Sequence, residues 1–240
     1  MIACKWNWHN TGHQVWYDKS TFETLKTTYP LCYYDDFLGA AVEPFDGTIN
    51  WDVVDVGNAT EAIVTDSSNG QFALTLTSTD QAQDAVLYHS NNKTFDVGNG
   101  LIFEARVDMS VAPGTAVRAV AGMAGDHNLA KDSVTEAAWF SWAASMATSV
   151  ETDDTTNNTA ATTGVTVVAA TYNVFRIDFT TLTDVKFFID GVRVASSTTF
   201  DMSNLTAGEQ QMQPYFSLDK ASGGGLGTMT IDYVKIWSNR

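Results

Sequence analysis

Run after run of this chain alternates apolar with polar residues at a period of two, which suits a strand buried on one face and not a helix. Phe72, Leu74 and Leu76 form one such series. Phe103, Ala105, Val107 and Met109 form a second, Phe175, Ile177 and Phe179 a third, and Val185, Phe187 and Ile189 a fourth. Asp190-Gly191 separates the last of these from Val192-Arg193-Val194, and both residues of a two-residue hairpin turn want positive φ, so a tight hairpin is expected there. Gly98-Asn99-Gly100 marks a turn before Leu101, and Met229 to Trp237 reads as a long final strand. Threonine, 31 of 240 residues, adds to the strand preference of the Val, Ile and aromatic content. The expected fold class is all-β, a two-sheet antiparallel sandwich.

Helical signal is sparse. Ser20 to Lys26 carries a capping pattern in Ser20 and Glu23, and Thr206 to Gln211 is a second short candidate. Residues 151–164 are polar, with no apolar period, and are expected to form an exposed loop tip.

Charge narrows the function. Thirteen basic against 28 acidic residues leave −15, a surface that repels phosphate backbones and anionic lipid, so no nucleic-acid partner and no membrane insertion are expected. No run approaches the roughly 18 apolar residues of a membrane span, and the first residues lack the layout of a secretion signal. Residues 1–33 stand apart, with Lys5, Lys19 and Lys26 against Asp18 and Glu23, a net +1. Trp6, Trp8, Trp16, Tyr17, Phe22, Tyr29 and Tyr33 crowd this segment, too short to bury so many rings within itself. We therefore expect two parts: an N-terminal arm, 1–33, that docks on another surface, and a sandwich, 34–240.

The motifs Phe103-Glu104-Ala105-Arg106, Phe188-Ile189-Asp190-Gly191 and Ile231-Asp232-Tyr233-Val234-Lys235-Ile236, with Tyr34-Asp35-Asp36-Phe37 as an opening strand, resemble in that order elements of the concanavalin A-like lectin and glucanase superfamily, especially its laminarinase-type glucanases. The resemblance covers roughly residues 34 to 240 and implies a jelly roll of two curved sheets. Retaining glucanases need two carboxyl groups about 5 to 5.5 Å apart, placed in these relatives by alternation along one strand as Glu-x-Asp-x-Glu. The stretch that follows Glu104-Ala105-Arg106 contains no such pattern; Glu136 stands alone before Ala137-Ala138-Trp139-Phe140-Ser141-Trp142. Glu151 and Asp153 alternate, yet in the expected loop nothing would desolvate them. The sequence reading is thus of no enzyme and no catalytic residue.

Other chemistry is thin. Cys4, His9, His13 and Cys32 supply the ligand types of a zinc site, with a disulfide between the two cysteines as the competing reading. Asp232 resembles an aspartate that holds structural calcium in some glucanases, together with Glu43 or Asp46; otherwise no cofactor is expected. His89 and His127 stand isolated, and no Gly-x-Ser-x-Gly elbow is present. Gly223-Gly224-Gly225-Leu226-Gly227 is read as a turn. Trp139 and Trp142, three apart on a strand, face opposite sides, so only one can serve as a stacking platform for sugar.

Jelly rolls of this superfamily without the acidic pair resemble bacteriophage virion proteins. The resemblance implies a capsid decoration or cement subunit on the virion exterior, attached to capsid protein or other virion subunits through Trp6, Trp8, Trp16, Tyr17, Phe22 and Tyr29, and open to homo-oligomerisation. A secreted carbohydrate-binding or receptor-binding module recognising surface glycans is the alternative, and a laminarinase-type hydrolase the third.

Overall fold

The computed structural model describes residues 31–38, 51–65, 67 and 70–238, and in addition the backbone of three strands before them. Those three, β1 (Cys4–Trp8), β2 (Gln14–Asp18) and β3 (Thr24–Thr27), form an antiparallel sheet in the order β1-β2-β3. The expected helix over Ser20 to Lys26 is corrected by β3: threonine at both ends of Thr24–Thr27 favours extended backbone, and cross-strand pairing with β2 outweighs a weak cap.

The remaining strands are β4 (Leu31–Asp35), β5 (Asp52–Val56), β6 (Thr60–Ile63), β7 (Phe72–Leu76), β8 (Gln83–Tyr88), β9 (Phe95–Asp96), β10 (Ile102–Val111), β11 (Arg118–Ala124), β12 (Glu136–Ala143), β13 (Ala147–Asp154), β14 (Asn158–Thr166), β15 (Asn173–Asp178), β16 (Lys186–Ile189), β17 (Val192–Val194), β18 (Gln211–Lys220) and β19 (Gly227–Ser238). They make two antiparallel sheets of eight. The first runs β17-β16-β15-β10-β19-β7-β6 with β4 also on β19; the second runs β14-β13-β12-β11-β18-β8-β5 with β9 also on β18. The inward positions of both interleave as one core. Phe103, Phe175, Phe187, Leu74, Ile231 and Ile236 from the first sheet meet Leu87, Ala121, Phe140, Trp142, Phe216 and Leu218 from the second, all buried. The alternating runs of the sequence are the strands of this core.

Local chemistry matches the strand ends. Asp190 and Gly191 have φ of 49° and 78°, the paired positive values that a type I′ turn needs. At the same end of the sandwich, Lys220 is buried and its Nζ donates to the carbonyls of Thr77, Thr79, Gly223 and Gly225 at 2.6 to 2.9 Å. A single ammonium thus satisfies the glycine-rich turn and the β7–β8 connection together.

Two sequence readings are corrected here. Residues 151–164 are strand, the end of β13 and most of β14, with a turn at Thr155. Polar residues carry the buried positions that apolar ones occupy elsewhere. Thr152 and Asp154 point inward, and Asp154 is fully covered because it accepts from the backbone of Thr156, Asn157 and Asn204. The stretch Thr206 to Gln211 is a turn leading into β18, closed by backbone bonds from Glu209 and Gln210 to Thr206.

Candidate functional site

The outer face of the second sheet is where chemistry collects. Strand alternation turns Val86 and Tyr88 on β8, Val120 and Gly122 on β11, Ala137, Trp139 and Ser141 on β12, Glu151 and Asp153 on β13 and Tyr215, Ser217 and Asp219 on β18 away from the core. The connection from β11 to β12 folds back over this face. Its Val134 packs with Val86, Tyr88, Val120, Ala124, Ala137, Trp139 and Tyr215 in a second buried cluster.

Across the sheet, Glu151, Trp139, Gly122 and Tyr215 lie in one row. Gly122 has no side chain to give, and a Cβ there would collide with the Ala138 carbonyl, so the rings of Trp139 and Tyr215 close over it at 6.2 Å. Arg118 lies above Trp139, donates to Glu151 Oε2 at 2.9 Å and pairs with Asp132 of the overlying connection. Trp139 Nε1 donates to the same Glu151 oxygen at 3.1 Å. Glu151 is therefore a strand residue with fixed partners, and burial holds the neighbouring Asp153 carboxyl above its ordinary range. The reading that both sit undesolvated in a loop is corrected.

A second row brings carboxyls together. Asp219 of β18 and Asp84 of β8 are direct cross-strand partners, and side chains so opposed have Cβ atoms about 4.5 to 5.5 Å apart. Lys131, almost wholly buried, donates to Asp84 Oδ2 at 2.7 Å, and Ser217 donates to Asp84 Oδ1 at 3.1 Å. Burial raises both carboxyls, Asp84 against the pull of Lys131, and Asp219 to about 6, with Lys131 opposing and Asp84 reinforcing the rise. Asp219 Oδ1 is buried without a hydrogen-bond partner among the described residues. The pair escapes sequence reading because register alone joins β8 to β18. The available signal was outward polar alternation in Tyr215, Ser217 and Asp219.

Of His89 and His127, His127 has a side-chain hydrogen-bond partner. His127 Nδ1 and the Tyr215 hydroxyl share a hydrogen bond of 2.7 Å. Burial and the charge of Lys131 push His127 down to about 4, so its imidazole is neutral at neutral pH. Its backbone N donates to Asn91 Oδ1, itself held by Gln213. His89 turns inward, 1% exposed, against Trp51 at 4.6 Å, Tyr33 at 5.6 Å and Phe95 at 5.8 Å, and neither ring nitrogen has a hydrogen-bond partner among the described residues.

The remaining sequence-predicted residues are placed as follows. Trp139 faces outward beneath Arg118, whereas Trp142 is in the core, its Nε1 donating to Thr148. Asp232 on β19 pairs with Arg106 at 2.5 Å, and Glu43 and Asp46 lie outside the described residues. Cys32 is exposed on β4 and forms no disulfide among the described residues. Cys4 falls on β1 with no side chain described, and His9 and His13 lie outside the described residues. Among those residues no group of three or more His, Cys, Asp or Glu side chains is arranged to hold a metal. Trp6 and Trp8 fall on β1 and Trp16 and Tyr17 on β2, while Phe22 and Tyr29 lie outside the described residues. Among them, too, no helix is long and apolar enough to cross a membrane.

No family model and no curated protein matches the chain. Solved structures do. A Bacteroides ovatus mixed-linkage glucan GH16 protein, in complex with a product, matches at TM-score 0.58 and 15% identity over 85% of this chain and 99% of its own. The fold is the concanavalin A-like jelly roll. An endo-β-1,4-glucuronan lyase from Trichoderma reesei superposes on this jelly roll at TM-score 0.55 and 11% identity, over 86% of this chain and 95% of its own. A protein of unknown function from Shewanella oneidensis does so at 0.58 and 12%, over 86% and 85%.

These matches correct the expectation of no enzyme. Jelly rolls aligned over nearly their whole length include glucanases and a lyase, and two carboxyls can meet across neighbouring strands without sharing one. None of the three proteins above is named for a virion role, so capsid decoration finds no support among them.

Proposed function

We propose that this jelly roll binds a neutral polysaccharide along the outer face of its second sheet and cleaves it hydrolytically with Asp84 and Asp219. The observation that carries the reading is the register pairing of those two aspartates on one face in a partly dry site, which sets both short side chains side by side as a retaining glycosidase requires of its two carboxyls. Their surroundings divide the labour. Asp84, paired with the Lys131 ammonium, is the anion that attacks the anomeric carbon and forms a glycosyl ester. Asp219, raised to about 6, gives its proton to the departing glycosidic oxygen and recovers one from the water that hydrolyses the ester. Trp139 and Tyr88 offer ring surface for sugar stacking once Arg118 and the β11–β12 connection that cover them move aside. Acidic neighbours Glu151, Asp153, Asp126 and Asp132 favour a neutral glycan over a polyuronate. Admission of the chain requires Val134 and the outer part of the β11–β12 connection to lift from the face while Lys131 stays on Asp84.

The test is reducing-end release from a panel of soluble β-glucans by the full chain. Asp219→Asn is expected to cut turnover by about a thousandfold with Tm held, and the wild-type rate is expected to fall as pH rises through about 6. Asp84→Asn should abolish turnover while glycan binding, read by affinity electrophoresis, persists. Wild-type turnover in both variants, or a wild-type protein inert on every glucan, defeats the assignment.

A further inference from the structure

The first sheet has an outer face that the proposed activity leaves unused. Strand register aligns six side chains in one row across it: Arg193 on β17, Phe188 on β16, Arg176 on β15, Glu104 on β10, Lys235 on β19 and Tyr34 on β4. In a chain with 13 basic residues against 28 acidic ones, three cations in a single row make this face locally unlike the rest. Arg176 stacks on Phe188 at 4.4 Å, Lys235 on Trp237 at 4.7 Å, and Tyr34 is 57% exposed. Aromatic rings and arginine are enriched at protein interfaces and dominate their energetics.

The order of the row identifies what covers it. A two-fold axis parallel to the strands, passing between β15 and β10, sets the row against itself in reverse. Arg176 then meets Glu104 of the second copy, Phe188 meets Lys235, and Arg193 meets Tyr34. Each of the three contacts, repeated twice by symmetry, is a salt bridge or a cation–π pair. The next row follows the same operation, since Lys186, two residues before Phe188, is brought over Trp237. Every cation of the first row thus faces an acid or a ring, and no like charges oppose each other in it. Six strands at about 4.8 Å spacing and three rows along them give a patch on the order of 500 Å² per copy, at the lower limit of specific interfaces.

We infer that this chain forms an isologous homodimer through the outer face of its first sheet, leaving the outer face of the second sheet open on both sides of the assembly. Such a dimer does not depend on the activity proposed above.

Light scattering and sedimentation equilibrium on the full chain, from about 1 to about 100 µM at physiological salt, test it, with micromolar dimerisation expected. Glu104→Arg sets a second cation against Arg176 across the axis, and Arg176→Glu sets a second acid against Glu104. Each variant alone is expected to be monomeric, with dimer affinity reduced at least about tenfold and Tm close to wild type. Mixed in equal amounts, the two are expected to form a heterodimer, because the two exchanged charges then face each other across the axis while the native Arg176 of one chain faces the native Glu104 of the other. Recovery on mixing cannot come from contacts within one chain. A wild-type chain that stays monomeric at the top of that concentration range, single variants that dimerise like wild type, or a mixture of folded variants that stays monomeric would each overturn the inference.

Discussion

Replacing His89 by Phe should make the protein more stable, and increasingly so as the solution is acidified. The imidazole is 1% exposed among Trp51, Tyr33 and Phe95, with both nitrogens unpartnered among the described residues, and burial pushes it from 6.5 down to about 4 despite the nearby Asp35 charge. Above about pH 6.5 both the folded and the unfolded chain carry it neutral, so it adds no pH dependence. As pH falls through the window from 6.5 to 4, the unfolded chain takes up a proton that the fold excludes, and stability declines. The decline reaches roughly 3 kcal/mol by about pH 4 and then levels off. Phenylalanine keeps the ring packing and removes two unsatisfied polar atoms, worth on the order of 1 kcal/mol at about pH 7. Urea unfolding followed by tryptophan fluorescence at about pH 7, 5.5 and 4.2 should show the variant ahead by about 1 kcal/mol at the highest pH and about 4 kcal/mol at the lowest. His127, which titrates near the same value, is common to both proteins and cancels. A gap between variant and wild type that stays constant with pH would refute the reasoning.

Other substitutions have equally definite outcomes. Lys220→Met takes from the Thr77, Thr79, Gly223 and Gly225 carbonyls the buried ammonium that gathers them and should cost about 1 to 3 kcal/mol, a fall in Tm of roughly 5 °C by calorimetry; Lys220→Arg should not restore it, since a planar guanidinium cannot point at four surrounding oxygens. Gly122→Ala drives a methyl into the Ala138 carbonyl and the Trp139 backbone and should cost about 1 to 3 kcal/mol, with a changed near-ultraviolet circular dichroism as Trp139 and Tyr215 part. Gly191→Ala meets no atom within 4 Å yet stands at φ 78°, so its cost, about 1 kcal/mol in chemical denaturation, should be purely conformational.

Strands were most readable from the sequence where one side is greasy and the other wet. Phe103, Ala105 and Val107, or Phe175, Ile177 and Phe179, announce strands because their inward positions are all apolar. β13 and β14 were silent for the opposite reason: Thr152 and Asp154 occupy inward positions, and for Asp154 hydrogen bonds, not hydrophobicity, compensate for burial. The candidate site was unreadable on different grounds. Nothing local to Gln83-Asp84 or to Leu218-Asp219 says that β8 will lie beside β18, and a carboxyl pair made by register exists only once the sheet has formed. Trp139 and Trp142 fall between these cases, since alternation correctly separates their faces but does not reveal that Arg118 covers the outer one.

The pairing of β4 with β19 sets Leu31 opposite Ser238, so the polypeptide enters and leaves the sandwich at neighbouring points on one sheet. A module wired this way behaves as a plug on a two-pronged stem. It can be spliced into a surface loop of a host protein with little strain, and a linker joining its first and last strands would allow new ends to be opened at the Asp190-Gly191 hairpin.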